Sequence, residues 1–161
     1  MWFPTGYGEQ PLYKLKITAN GKESITEFGI RKVDILEIDD NFNPEYKAKA
    51  EKLKKNPHLL ENDRNEKTSS FWLVINGVRI FCQGGNWVPC DPFVSEETDE
   101  KIKSLVQSAH ECGCNMLRVW GGGVFEKDSF YSECDRLGIL VTQDFLMACG
   151  TYPEDDKDFL D

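Results

Sequence analysis

Residues 115–126, Asn-Met-Leu-Arg-Val-Trp-Gly-Gly-Gly-Val-Phe-Glu, restrict what this chain can fold into more than any other stretch. Ahead of them, residues 98–111 place Ile102, Leu105, Val106 and Ala109 at three- and four-residue spacing, one face of a helix. Gly113 ends that pattern. Met116, Leu117 and Val119 break its period, so the first half of the run reads as a short strand. Three glycines follow, where the backbone is free to turn and no side chain crowds what sits above. A second helical pattern covers residues 126–137, and Gly138 closes it. Residues 139–145 then read as another buried strand. Strands and helices alternating over short connections predict a parallel β/α architecture.

In such a sheet, function gathers at the C-terminal edge of the strands. Arg118 and Trp120 fall at that edge of one strand, Gln143 and Asp144 at that edge of the next. An indole offers a flat apolar face to sugar C–H groups, and a guanidinium holds a carboxylate or hydroxyls in a fixed fork. The pair therefore suits a sugar site. A structural role, with Trp120 capping the core and Arg118 in an ion pair, fits the spacing as well. For Gln143 and Asp144 the two readings are orientation of neighbouring polar groups and a structural hydrogen-bond network.

The N-terminal part reads differently. Residues 12–17 alternate apolar and polar, Asn20-Gly21 is a hairpin turn, and residues 24–28 and 31–36 continue the β pattern with Gly29 as a candidate bulge. Residues 39–70 shift to a turn cluster, a polar helix over residues 45–55 with Pro44 near its start, and a charged loop. They read as a solvated insert, with a partner-binding helix as the alternative. Residues 71–82 form a hairpin around Asn76-Gly77, and residues 84–89 give a glycine-softened strand and its exit loop. Asn86, Trp87 and Asp91 face the candidate site in one reading; in the other, Trp87 packs beneath the loop and Asp91 starts a turn.

The formal net charge of −9 argues against nucleic acid and anionic membrane surfaces as partners. No transmembrane run is present, and the N-terminus lacks the regions of a signal peptide. Cys82, Cys90, Cys112, Cys114, Cys134 and Cys149 show no metal-ligand spacing, so they are expected as buried thiols of a reducing, cytoplasmic compartment. His58 and His110 are expected at the surface. No metal or cofactor is expected, and the three glycines cradle no phosphate, since no Gly-Lys-Ser/Thr follows.

Arg118-Val119-Trp120-Gly121-Gly122-Gly123, with Phe125-Glu126, Phe130-Tyr131, Cys134-Asp135, Leu137-Gly138-Ile139 and Gln143-Asp144-Phe145, resembles the β-mannosidases of glycoside hydrolase family 2. Asn76-Gly77, Asn86-Trp87-Val88-Pro89-Cys90-Asp91 and Trp2-Phe3-Pro4 are similar to the same family. The likeness covers nearly all of the chain except roughly residues 39–70. Three glycines after Arg-x-Trp set it apart from the β-galactosidase and β-glucuronidase branches.

The resemblance implies an α/β plus β fold. Residues 1–38 are the last strands of an immunoglobulin-like sandwich, with Phe28-Gly29-Ile30-Arg31 as the strand leading onward. Residues 39–70 are an insert, and residues 71–161 are the first β/α units of a TIM barrel. A whole barrel needs about 250 residues, so the chain is expected to be part of a longer enzyme, its start a cut or a truncated reading frame. The implied activity is a retaining exo-glycosidase acting on terminal non-reducing β-D-mannose, with a β-mannoside oligosaccharide or glycan and the remainder of the parent enzyme as partners. Its two glutamates stand about 5–5.5 Å apart and follow later strands, so neither is expected here and the chain alone is expected to be inactive. Arg118, Trp120, Asn86, Asp91, Gln143 and Asp144 remain as substrate-site residues, Arg118 as the arginine that hydrogen-bonds the nucleophile. Glu126 reads as an acid in a first helical turn, favourable with the helix dipole. The alternatives are exo-β-glucosaminidase or β-galactosidase specificity, or a non-catalytic carbohydrate-binding or scaffold piece.

Overall fold

The computed structural model describes residues 1–39 and 69–160. The helix and loop expected within residues 40–68, and His58 with them, lie outside the described residues. In chain order the elements are β1 (Leu12–Ala19), β2 (Lys22–Gly29), β3 (Val33–Asp39), β4 (Ser69–Ile75), β5 (Val78–Ile80), β6 (Gly84–Trp87), α1 (Asp99–Glu111), β7 (Met116–Val119), α2 (Asp128–Leu137), β8 (Leu140–Gln143) and α3 (Lys157–Leu160). They divide into two compact units, Met1–Arg31 with Cys82–Asp161, and Lys32–Phe81.

The first unit holds the parallel sheet, ordered β6-β7-β8. Asn86 pairs with Arg118 and Arg118 with Thr142, so these three share one face. The other face, with Trp87, Leu117 and Val119, is covered by Ile102 and Val106 of α1 and Phe130, Cys134 and Leu137 of α2. Burying such side chains contributes about 1.5–3 kcal/mol each. The first helix is capped at its start and the second stops where the sequence predicts. The second begins at Asp128 rather than at residue 126, however, and has no side-chain cap. The Thr98 hydroxyl accepts a hydrogen bond from the Lys101 N–H at 3.2 Å and caps α1. Gly138 ends α2 in the left-handed region at φ 75°, where a side chain would be strained.

The same unit carries the β1–β2 hairpin, closed by Asn20 and Gly21 at φ 51° and 75°, as a two-residue turn with positive φ requires. Gly29, expected as a bulge, pairs regularly with Leu12. A Cβ there would lie 2.8 Å from the Trp2 ring, so the glycine makes room for an indole instead. Trp2 is wholly buried, its Nε1–H donates to the Asp135 carbonyl at 2.7 Å, and the Arg31 guanidinium lies 4.3 Å above its ring. Arg31 also pairs with Asp135 at 3.5 Å. Thr5 N–H donates to the Gly138 carbonyl at 2.8 Å, docking the N-terminal segment against the end of α2.

The second unit is an antiparallel sheet ordered β3-β4-β5. Asn76 and Gly77, at φ 51° and 83°, form the expected turn between β4 and β5. Here the pairing departs from the division drawn from sequence, which grouped β3 with residues 1–38 and the hairpin with residues 71–161. Val33 to Asp39 pair along their whole length with Ser69 to Ile75, across the intervening residues. Long-range strand pairing leaves no local sequence signal, which is why that grouping was not readable.

The cysteines also differ from expectation. Cys134 is buried, Cys90 and Cys114 are half-buried, and Cys82, Cys112 and Cys149 are exposed. They sit mostly in connections, where the strand-and-helix core does not reach. His110 is half-buried rather than at the surface, with Nδ1 3.2 Å from the Thr5 hydroxyl.

Candidate substrate site at the strand ends

The register sets three polar side chains from three strands together. Asn86 and Arg118 stand side by side one residue before the ends of β6 and β7, and Asp144 lies just past the end of β8. Arg118 Nε and Nη2 donate to the two carboxylate oxygens of Asp144 at 3.1 and 2.5 Å, and Nη1 donates to Asn86 Oδ1 at 2.9 Å. Such a fork fixes the guanidinium plane. Arg118 stays 46% exposed on its side chain, so its remaining N–H groups can meet a further acceptor. A cavity of about 330 Å³ opens beside it, lined by Asn86, Arg118, Met116 and Gly85 among others.

Trp120 continues the strand past Val119, and its N–H donates to the Trp87 carbonyl at 3.0 Å. The indole is half-buried and stands outside that cavity. The glycines behind it serve a purpose other than turning freely, because none of the three has a positive φ. A Cβ on Gly122 would lie 2.1 Å from the Trp120 ring, and one on Gly121 would lie 2.5 Å from the Phe145 carbonyl. Gly121 N–H in turn donates to Asp144 Oδ2 at 3.2 Å. Close approach therefore requires the glycines, and the ring that approaches is Trp120 itself.

The other expected residues are placed elsewhere. Gln143 is on the helix-covered face, where its Oε1 accepts from the Tyr131 hydroxyl at 3.1 Å. Asp91 is engaged by Lys101 Nζ at 2.7 Å and by the Phe93 N–H at 2.9 Å; the lysine hydrogen bond first, then the backbone one, hold its pKa below the ordinary value. Asp91 makes these contacts away from the Arg118 group, whereas Gln143 meets that group through its Nε2–H, which donates to the Asp144 carbonyl at 2.8 Å. Trp87 packs in the core, 8% exposed.

Glu126 is corrected too. It precedes α2 by two residues, and Asp128 is the acid in the first turn. Glu126 is buried, with Oε1 accepting from Trp87 Nε1–H at 2.9 Å and Oε2 without a hydrogen-bond partner among the described residues. Burial raises its pKa, against the opposing effect of the Trp87 hydrogen bond. Glu97, also buried, accepts from Cys90 N–H at 2.8 Å. For Glu126 the sequence signal was an acid after an aromatic, Phe125, and ahead of a helix; Glu97, between Glu96 and Thr98, carried only its place ahead of a helix. Among the described residues no group of three His, Cys, Asp or Glu side chains is arranged to hold a metal ion.

Comparison with known proteins adds a lineage to this geometry. No protein-family model matches the chain. The β-mannosidase of Bos taurus is 38% identical over 161 residues, covering 99% of this chain and 16% of that protein. The crystal structure of the β-D-mannosidase from Dictyoglomus thermophilum superposes with a TM-score of 0.77 at 39% identity, over 99% of this chain and 17% of that one. The chain is similar to one stretch of these β-mannosidases. Another relative, β-mannosidase B of Emericella nidulans, is 32% identical over 158 residues, 95% of this chain and 16% of its own length. An exo-chitosanase from Amycolatopsis orientalis shares the fold at TM-score 0.61 and 22% identity, over 88% of this chain and 14% of its own. The chain thus spans about a sixth of the length of the relatives it matches and contains the Arg118, Asn86 and Asp144 group.

Proposed function

We propose that this chain supplies the early part of the substrate site of a retaining exo-glycosidase that removes terminal non-reducing β-D-mannose from a β-mannoside oligosaccharide or glycan. In this reading β6, β7 and β8 are the first three strands of a TIM barrel, and β1 and β2 are the last strands of an immunoglobulin-like sandwich. The observation that carries it is the guanidinium of Arg118, fixed by Asp144 and Asn86 on an uncovered sheet face at the C-terminal edge of parallel strands. A 32–39% likeness to β-mannosidases supports mannose over other sugars.

The chemistry divides accordingly. A retaining mechanism needs one carboxylate to attack the anomeric carbon and a second acid about 5–5.5 Å away to protonate the leaving oxygen. Glu97 and Glu126, the buried glutamates of the described residues, are bound to the Cys90 N–H and to Trp87 on the helix side of the sheet and cannot reach a sugar. In this reading the attacking and proton-donating acids come from the remainder of a longer polypeptide, as the resemblance implies. Arg118 offers its remaining N–H groups to the nucleophile, which lowers that carboxylate's pKa. Trp120 gives the mannose ring an apolar platform. Asn86 and Asp144 hold Arg118, while Gln143 and Asp91 support the strand end and the exit loop from their own positions.

The test is kinetic. The isolated chain should not hydrolyse an aryl β-mannoside, whereas a longer polypeptide containing it should. In the latter Arg118→Ala should lower kcat/KM roughly a hundredfold or more, as loss of a preorganised charged donor does. Turnover by the isolated chain that Arg118→Ala abolishes would overturn the division of labour. A longer polypeptide that cleaves β-glucosaminides or β-galactosides in preference would overturn the substrate.

A further inference from the structure

Glu126 takes no part in the chemistry above, yet its contacts converge on the site. Its Oε1 accepts from Trp87 Nε1–H at 2.9 Å. Trp87 ends β6 directly after Asn86, the partner of Arg118, and its carbonyl accepts from Trp120 N–H at 3.0 Å. One buried side chain therefore holds the residue on which Trp120 hangs. Glu97 clamps the same exit from the other side through Cys90 N–H, and a Cβ on Gly123 would lie 3.1 Å from Pro89, so the glycine turn rests on this clamped segment.

The setting selects a protonation state. The charged groups facing Glu126 are Glu97, from the turn before α1, and Lys127, its own chain neighbour; Cys90 is the other titratable group beside it. Lys127 Nζ donates to the Glu97 carbonyl, and Lys101 sits with Asp91 beyond Cys90. Among the described residues Glu126 Oε2 is buried with no hydrogen-bond partner, an arrangement costlier for a carboxylate than for a neutral acid. Burial outweighs the Trp87 indole N–H and the Lys127 backbone N–H, which favour the ionised form.

We infer that Glu126 is a positioning residue for the sugar site, a buried acid that locks Trp87 and, through its carbonyl, Trp120, and whose ionisation loosens that lock. The inference rests on the reading of Arg118 and Trp120 as sugar-binding. Burial shifts the acid toward protonation, so the lock is intact below the ordinary carboxylate pKa and is lost as pH rises through the raised one.

Infrared and tryptophan-emission titrations of the chain, with Glu126→Gln and Glu126→Ala, test it alongside kinetics of the longer polypeptide. The wild-type chain should show a protonated-carboxyl band that persists above the range of ordinary glutamates and is missing in Glu126→Gln. Its emission should shift red as that band disappears. Glu126→Gln, which keeps an acceptor for Trp87 and never ionises, should hold the low-pH emission throughout, and Glu126→Ala should be red-shifted throughout. In the longer polypeptide Glu126→Ala should raise KM for an aryl β-mannoside about tenfold with kcat within about twofold, as loss of one buried hydrogen bond acting on ground-state binding would do. Glu126→Gln should restore KM and remove its rise at high pH. Absence of the carboxyl band, or Glu126→Gln matching Glu126→Ala, overturns the inference even if β-mannoside is hydrolysed. If no version hydrolyses β-mannoside while band and emission follow the pattern, the glycosidase reading fails and the lock stands.

Discussion

The Arg118 group was partly legible because it sits at fixed places in the strand pattern. Arg118 and Asp144 could be read as lying at neighbouring strand ends, and Asn86 followed from the strand before them. What could not be read was the direction each side chain takes. Gln143, one residue before Asp144, points to the opposite face because side chains alternate along a strand. Gly122 is the sharpest case of a correct residue with a different cause. A methyl group there would overlap the Trp120 ring at 2.1 Å, so Gly122→Ala should push the indole aside. Overpacking of this kind costs about 1–3 kcal/mol, and the change should appear as altered near-ultraviolet circular dichroism with a lowered Tm. Unchanged spectra would show that the ring is not held against the glycine.

At the scale of elements, local chemistry was written plainly. Thr98 before α1, Gly138 after α2 and the two Asn-Gly turns all act as their residue types dictate. Contacts between distant elements were not. Trp2 carries no periodic signal, and only the folded chain shows it plugged between Arg31 and the Asp135 carbonyl. Comparing two substitutions weighs the two kinds of contact. Thr98→Ala should cost about 1 kcal/mol, the ordinary value of an N-cap. Trp2→Ala, removing a wholly buried indole and its 2.7 Å hydrogen bond, should cost about 3–5 kcal/mol. Denaturant midpoints for the two variants measure the difference; equal midpoints would mean that the N-terminal segment contributes nothing beyond a loop.

For the molecule as a whole, the telling feature is how much strand surface is left uncovered. Among the described residues the parallel sheet has helices on one face only, and both β6 and β8 are edges, whereas parallel sheets are ordinarily covered on both sides. On β1 and β2, Leu15, Ile17 and Ile25 are each about half exposed or more, at 48%, 52% and 63%. Open edges and bare apolar strands favour association. The 161-residue chain should therefore show concentration-dependent light scattering; a monodisperse monomer of 18.4 kDa at all concentrations would contradict this.

The plug around Trp2 lies at the tail of α2, and the Arg118 fork lies where the strands end. In a β/α unit, helix and strand run in opposite directions, so these are opposite poles of the same unit. Cohesion is thus concentrated at the floor, and the polar side chains of Arg118, Asn86 and Asp144 gather at the rim. Substitutions among the rim side chains should therefore leave the polypeptide folded, because the floor holds it together.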